Sequence, residues 1–384
     1  MTILFFTRMP NKNKLEGDQV MRTFPLKSLN LEEAKKKQFK LVDIITRHMT
    51  GTESLSLGDL GVSPGLNKPV RTKKAEDILA EFFNTEACML LRGAGTNALR
   101  WGFMTTLSPG DTILVHDAPI YPTTETTIES MGLNILRTDF NNYEETINTL
   151  KSNSVNMVLI QHTRQKPDDS YNLEELIKTI KTADNKIPVI IDDNYAVLKT
   201  EKNGIDSGAD LSAFSMFKLL GPEGIGCLIG KKELIDKIRS KNYSGGGQVQ
   251  GYEAMETLRG LVYAPVALAV QAEENEKLEE ELNNNNRYPY IKQAFLANAQ
   301  SKVLLIEFHE DIAEKLLKEA EKLGALPNPV GAESKYEIAP LFYRVSGTFL
   351  KSDPSLAKRM IRVNPNRAGS ETIIRILENA YKNL

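Results

Sequence analysis

The chain has 384 residues, 41% of them hydrophobic, and a formal net charge of −2. That is enough chain for a large core and two or three domains, and the near-neutral balance argues against nucleic acid as the main partner. Two cysteines, Cys88 and Cys227, sit in apolar runs without C-x-x-C spacing. They read as buried thiols in a reducing compartment, not as a disulfide or a zinc site. The four histidines show no metal-ligand spacing, so no metal site is expected. The run Ile3-Leu4-Phe5-Phe6 is too short for a signal h-region, and no run approaches membrane-spanning length. A cytoplasmic protein without a membrane partner is the expectation.

Residues 1–55 read as a polar, Lys-rich arm with a helical pattern from Leu31 to Leu41. Ser54 to Arg71 is a loop containing Gly and Pro, and Lys73–Asn84 is an amphipathic helix with Ala75, Ile78, Leu79, Phe82 and Phe83 at helical spacing. Apolar runs of strand length then appear at Cys88–Leu91, Thr112–His116, Leu133–Arg137, Met157–Ile160, Pro188–Ile191, Leu211–Phe214 and Ile225–Ile229. Helical patterns separate most of them, at Thr96–Leu107, Thr123–Met131, Tyr143–Leu150 and Asn172–Thr182, the last with Asn172 and Glu175 at capping-box spacing. This alternation predicts a large α/β domain over 56–250 around a mostly parallel sheet of about seven strands. Ligands of such sheets sit at the carboxyl ends of the strands.

A glycine-rich break at Ser244–Gly251 ends the alternation. A helix from Tyr252 to Leu282 fills a linking segment, 251–283, with a bend expected at Pro265. Residues 284–384 read as a small C-terminal α/β domain. After the polar junction Asn283–Asn286 come a strand at Ser301–Phe308, a helix at Asp311–Leu323, a strand at Met360–Val363 and a closing helix at Ser370–Leu384.

Several strand ends carry chemistry. Lys218 follows an apolar run and precedes Gly221-Pro222-Glu223-Gly224-Ile225-Gly226. A lysine flanked this way is partly desolvated, so a neutral amine able to attack a carbonyl is within reach; a solvated turn lysine is the plainer alternative. Gly93-Ala94-Gly95-Thr96-Asn97-Ala98 follows a strand and opens a helix, which suits an anionic phosphate. The same residues match the G-x-G-x-x-A of dinucleotide binders, with Asp117 where a ribose acid belongs. Asp192 ends the run Pro188–Ile191 and would seek a cationic N–H, and Tyr195 offers a phenol to the same ligand; an Asx turn is the alternative. Tyr121 is either a ring-stacking or a rim aromatic. Ser215 stands three residues before Lys218 and can bind a phosphate oxygen. His162, beside Gln161, ends the Met157–Ile160 strand and points to the same rim. Arg362 lies inside an apolar strand, which is expensive unless it is paired with a substrate carboxylate or an acid of the chain.

The order of these parts resembles the pyridoxal-phosphate-dependent enzymes of fold type I, the aspartate aminotransferase superfamily. Ala94-Gly95-Thr96 resembles the family's S/A-G-T phosphate loop. Asp192-x-x-Tyr195 resembles its D-x-x-Y, in which the acid holds the pyridinium nitrogen and the tyrosine the 3′-oxygen. Ser215-x-x-Lys218 resembles its S-x-x-K, whose lysine forms the internal aldimine. The run from Lys218 through Gly221-Pro222 to Gly224-Ile225-Gly226 is similar to the K-x-x-G-P-x-G-x-G loop of class V aminotransferases and cysteine desulfurases. Glu76–Phe83 and Ala118-Pro119-Ile120-Tyr121 resemble threonine aldolases and the lyases of cysteine and methionine metabolism.

Two departures accompany the resemblance. No basic residue follows the lysine near the phosphate, so Gly246 and Gln248 of the Gly245–Gly251 loop are expected to supply contacts, across a dimer interface as in relatives. Gln161-His162-Thr163-Arg164 stands where common aminotransferases have Asn-Pro. The resemblance implies a homodimer holding pyridoxal 5'-phosphate and acting at the α-carbon of an amino acid. The substrate carboxylate would pair with Arg362 or, alternatively, Arg367, with His162 also on the substrate side. An aminotransferase-like reaction is expected first, and a β- or γ-elimination or aldol cleavage second. A nicotinamide-dependent dehydrogenase leaves Lys218 and Asp192-x-x-Tyr195 unexplained, and Lys218 itself argues against a non-catalytic member of the fold.

Overall fold

The computed structural model describes residues 22–299, 301–330, 333–345 and 347–384; the Ile3–Phe6 run lies outside them. The larger sheet is built from β1 (Ala87–Arg92), β2 (Thr112–His116), β3 (Asn134–Thr138), β4 (Met157–Gln161), β5 (Val189–Asp192), β6 (Leu211–Ser215) and β7 (Ile225–Gly230). Its seven strands run in the order β1-β7-β6-β5-β4-β2-β3. β7 is antiparallel to both neighbours, and the pairings from β6 across to β3 are parallel. This is the mostly parallel sheet that the alternation predicts.

Burial on both faces explains why these strands read as continuous apolar runs. Successive residues of β1 and β7 point to opposite sides. Cys88, Leu90, Cys227 and Ile229 meet the helices Leu31–His48, Val70–Phe82 and Gly251–Leu282 on one face. Met89, Leu91 and Leu228 meet the helices Ala94–Phe103 and Lys232–Lys241 on the other. Both cysteines are buried and free, with their sulfurs 3.4 Å apart.

The linking helix, Gly251–Leu282, runs through Pro265 without interruption, and Pro265 is buried within it. Beyond it a second sheet of four strands, β8 (Ile291–Ala299), β9 (Ser301–Phe308), β10 (Leu341–Arg344) and β11 (Met360–Asn364), takes the order β10-β11-β9-β8 and is antiparallel throughout. The helices Ala313–Lys322 and Ser370–Lys382 close its core around Ile306, Leu316, Phe342 and Leu377.

In the described part of the arm the helix runs on from Leu41 to His48 after a capping box of Asn30 and Glu33, and a short second helix, Gly51–Leu55, follows it. The segment before it stitches the two sheets' domains together. The Phe24 carbonyl accepts from Asn298 of the small domain at 3.0 Å and from Arg164 of the large domain at 2.6 Å. Among the described residues no helix is long and apolar enough to cross a membrane.

Candidate active site

β5 and β6 lie side by side, so their carboxyl ends bring together residues that are distant in sequence. Asp192 ends β5, Ser215 ends β6, and Lys218 follows in a single 3-10 turn, Met216–Leu219. The helix Ala94–Phe103 begins beside them, and Tyr121 precedes the helix Pro122–Ser130. These segments surround a cavity of about 380 Å³ whose lining includes Ala94, Gly95, Thr96, Tyr121, Asp192, Tyr195, Ser215, Lys218 and Arg362. The volume is within the range of small-molecule sites.

Lys218 is the electrostatic centre of the cavity. Its amine lies 3.7 Å from the centroid of the Tyr195 ring, 6.0 Å from that of Tyr121, and 3.4 Å from Asn194 Oδ1. Burial pushes the amine down to about 8, against the opposing pull of Asp192. An amine in that range is partly neutral near pH 7 and can act as a nucleophile and a base.

Asp192 is buried, and burial raises its carboxyl despite Asn194 and Lys218. Its Oδ1 accepts from the Asn194 backbone at 3.1 Å and from the Asn194 side chain at 2.8 Å. Asn194 is the residue that sequence reasoning missed. Its Oδ1 also accepts from the Ser215 amide at 3.0 Å, so one side chain joins acid, serine and lysine. It stands inside Asp192-x-x-Tyr195 at a position the motif leaves blank. Gly95 makes room for it, since a Cβ there would lie 2.6 Å from Asn194 Oδ1.

The two glycine loops brace each other. The Gly224 carbonyl accepts from the amides of Gly93 at 2.7 Å and Ala94 at 2.9 Å. The next amides, of Gly95 and Thr96, fall in the first turn of the helix, where no intrahelical carbonyl partners them. They are the donors that suit an anion.

The other wall comes from the small domain and neighbouring loops. Arg362 reaches it from β11 with its guanidinium carbon 5.0 Å from the Tyr343 ring centroid. Phe217, Pro329 and Val330 add apolar surface; Gln161, Thr163 and Gln165 add polar surface.

Five sequence candidates lie elsewhere. His162 is buried with Nδ1 2.6 Å from Asp193 Oδ1 and does not line the cavity. Asp193 turns away from Asp192 to meet it, and also accepts from Ser212 Oγ at 2.5 Å. Gly246 and Gln248 are likewise absent from the lining of their own chain's cavity; the Gln248 amide donates to the Asn242 carbonyl. Arg367 is set back against the long helix, 3.4 Å from Gln271 Oε1. Asp117 lies at the end of β2, with β7, β6, β5 and β4 between that strand and β1. It is absent from the lining of the cavity that holds Ala94 and instead pairs with Lys166 at 3.5 Å, so it does not complete a dinucleotide site with the first glycine loop.

The residues present fit pyridoxal phosphate. That molecule brings an anionic phosphate, a basic ring nitrogen and an aldehyde. The cavity offers first-turn amides, a buried carboxyl beside them, and a buried amine of lowered basicity.

The comparisons agree. The class-V aminotransferase family model matches residues 70–260, and a model described as the YhfS-like C-terminal domain matches 276–377. YhfS of Escherichia coli K12 is 51% identical over 364 residues, covering 95% of this chain and 100% of its own. A crystal structure of the pyridoxal-5'-phosphate dependent protein YhfS of Escherichia coli matches with a TM-score of 0.92 at 51% identity, covering 95% of this chain and 100% of that one. A methionine gamma lyase from Micromonospora echinospora shares the fold, with a TM-score of 0.70 at 15% identity over 89% of this chain and 98% of its own. By sequence and by structure, then, the chain belongs to the YhfS family, within the pyridoxal-phosphate-dependent enzymes of fold type I.

Proposed function

We propose that this protein is a pyridoxal-phosphate-dependent aminotransferase of amino-acid metabolism. The observation that carries the reading is the placement of Lys218, which shares one cavity with Asp192 and has its amine 3.7 Å from the centroid of the Tyr195 ring; burial lowers that amine to about 8. Gly95, Thr96 and Ser215 would hold the phosphate, Asp192 the ring nitrogen and its proton, and Tyr121 the face of the ring. Tyr195 would meet the ring oxygen. When bound, the cofactor supplies an electron sink for the bond broken at the substrate's α-carbon. With the cofactor bound, Lys218 would act as the base that takes the proton from the substrate's α-carbon. Arg362 pairs with the substrate carboxylate through its guanidinium fork. The match of the class-V aminotransferase model to 70–260, which includes Lys218 and both glycine loops, supports transfer of the amine to a 2-oxo acid.

A lyase is the second reading. Its support is Tyr121, whose ring centroid is 6.0 Å from the Lys218 amine and whose phenol could protonate a departing group. The protein is loaded with pyridoxal phosphate and offered a panel of amino acids, with and without a 2-oxo acid acceptor. The expected result is a visible cofactor band that Lys218→Ala lacks, and product only when acceptor is present. Product without acceptor moves the assignment to the lyase. A wild type that gains no band on reconstitution overturns the proposal.

We also propose a homodimer. Leu55, Leu57 and Leu60 are 84%, 80% and 75% exposed. Their loop is pinned to the long helix, with Gly61 N donating to Gln250 Oε1 at 2.7 Å and Arg259 donating to the Ser56 carbonyl at 2.7 Å. An ordered loop with clustered exposed leucines suits a partner surface. Gly245 lies beside it near Val62, so the Gly246 segment would face a second copy, while the Gln248 side chain is buried against the Asn242 carbonyl of its own chain.

A further inference from the structure

Beyond the Tyr195 ring lies a group of buried charges that the reaction above does not use. Lys199 ion-pairs with Glu333; its side chain is 13% exposed and that of Glu333 0%. Lys199 Nζ also donates to Ser301 Oγ at 2.9 Å. Glu333 Oε1 accepts from Ser301 Oγ at 2.7 Å, Gln271 Nε2 at 2.8 Å and Asn364 Nδ2 at 3.1 Å. The group therefore gathers the turn after β5, the long helix, and the small domain at β9, β11 and the loop before β10.

A buried ion pair is a poor way to gain stability, because desolvation opposes the attraction and an apolar pair often serves as well. Its value is in geometry, since charges in a low dielectric fix orientation strongly. Two residues here are also held in left-handed backbone: Tyr195 at φ 67° and Glu333 at φ 77°. Such conformations in residues other than glycine persist where the surroundings over-determine them. The Lys199 amine lies 5.5 Å from the Tyr195 ring centroid, and the Lys218 amine 3.7 Å from it. Asn364, a member of the group, stands two residues from Arg362 on β11.

We infer that Lys199 and Glu333 are positioning residues: their ion pair docks the small domain on the Asp192–Lys199 turn and so fixes Tyr195 against Lys218 and Arg362 at the cavity wall. This rests on the proposed function only in using pyridoxal phosphate as a probe. Two variants are compared with wild type: Glu333→Gln, which keeps shape without charge, and Lys199→Met with Glu333→Leu, which replaces the pair by an apolar one. The readouts are the pyridoxal phosphate dissociation constant, the circular dichroism of the bound-cofactor band, and hydrogen exchange of the 193–199 amides without cofactor. A roughly tenfold weaker dissociation constant, one decade of affinity, is expected in the double variant, with altered dichroism and faster exchange in both. A folded double variant with wild-type affinity, dichroism and exchange overturns the inference. Where the double variant does not fold, unchanged values in Glu333→Gln overturn it. Where the wild type binds no pyridoxal phosphate, the functional proposal fails by itself, and the exchange of 193–199 still decides whether the Lys199–Glu333 pair holds that turn.

Discussion

At Lys218, burial outweighs the Asp192 carboxylate and brings the amine down to about 8. The neutral, reactive form therefore grows as pH rises through 8, well below the range of a solvated lysine. The rate at which Lys218 captures pyridoxal phosphate should reach half its maximum near pH 8. A midpoint near that of free lysine would contradict the buried environment. Asp192→Asn removes the charge that raises the amine, so its midpoint should move to lower pH. Arg362 makes a separable prediction. Loss of a charge-assisted pair costs about 1.5–3 kcal/mol, so Arg362→Ala should raise the apparent substrate constant by roughly ten- to a hundredfold, with a smaller change in kcat. An unchanged constant would remove Arg362 from substrate binding. Lys218 and Asp192 are legible in sequence because a charged residue ending an apolar run stands at the sheet's rim. His162 carries the same signal, yet its ring goes to Asp193. Position at a strand end sets the rim, not which side of it a ring faces.

At the scale of elements, the glycine loop after Lys218 acts as a brace for the first loop. A Cβ at Gly226 would lie 2.1 Å from the Ala94 carbonyl oxygen, and backbone cannot swing aside as a side-chain tip can. Gly226→Ala should destabilise the protein by about 1–3 kcal/mol or more and weaken cofactor binding through the displaced Ala94. Gly347→Ala is the contrast, because a Cβ there meets nothing within 4 Å. Thermal melts of the two variants should separate clearly; equal melting temperatures would deny the brace. The strands of the large sheet were readable because both faces are buried. β8 was not, since its Ile-Lys-Gln-Ala-Phe-Leu-Ala-Asn-Ala mixes polar and small residues and carries a register shift near Ile291. The helix Lys232–Lys241 was not either: only Leu234, Ile235 and Ile238 of its ten residues are buried, in a strongly charged sequence.

For the whole molecule, the small domain is joined to the large one by the long helix, the Phe24 segment and the Lys199–Glu333 pair. The homodimer proposal belongs at this scale. Wild type should sediment as a dimer, and Leu57→Glu with Leu60→Glu should shift it to monomer; a monomeric wild type would refute it. Apolar runs and their spacing were enough to specify a mostly parallel sheet, a linking helix and a smaller α/β unit, because burial is written into local composition. The glycine, acid and lysine motifs likewise named residues that the structure brings to one cavity. Only tertiary structure decided that Asn194 joins Asp192, Ser215 and Lys218, that His162, Gly246 and Gln248 stand outside the cavity, and that Arg362 rather than Arg367 lines it. The reason is physical. Side-chain direction and contacts across β5, β6 and β11 depend on how the sheets pack, and that information is spread over residues far apart in the chain.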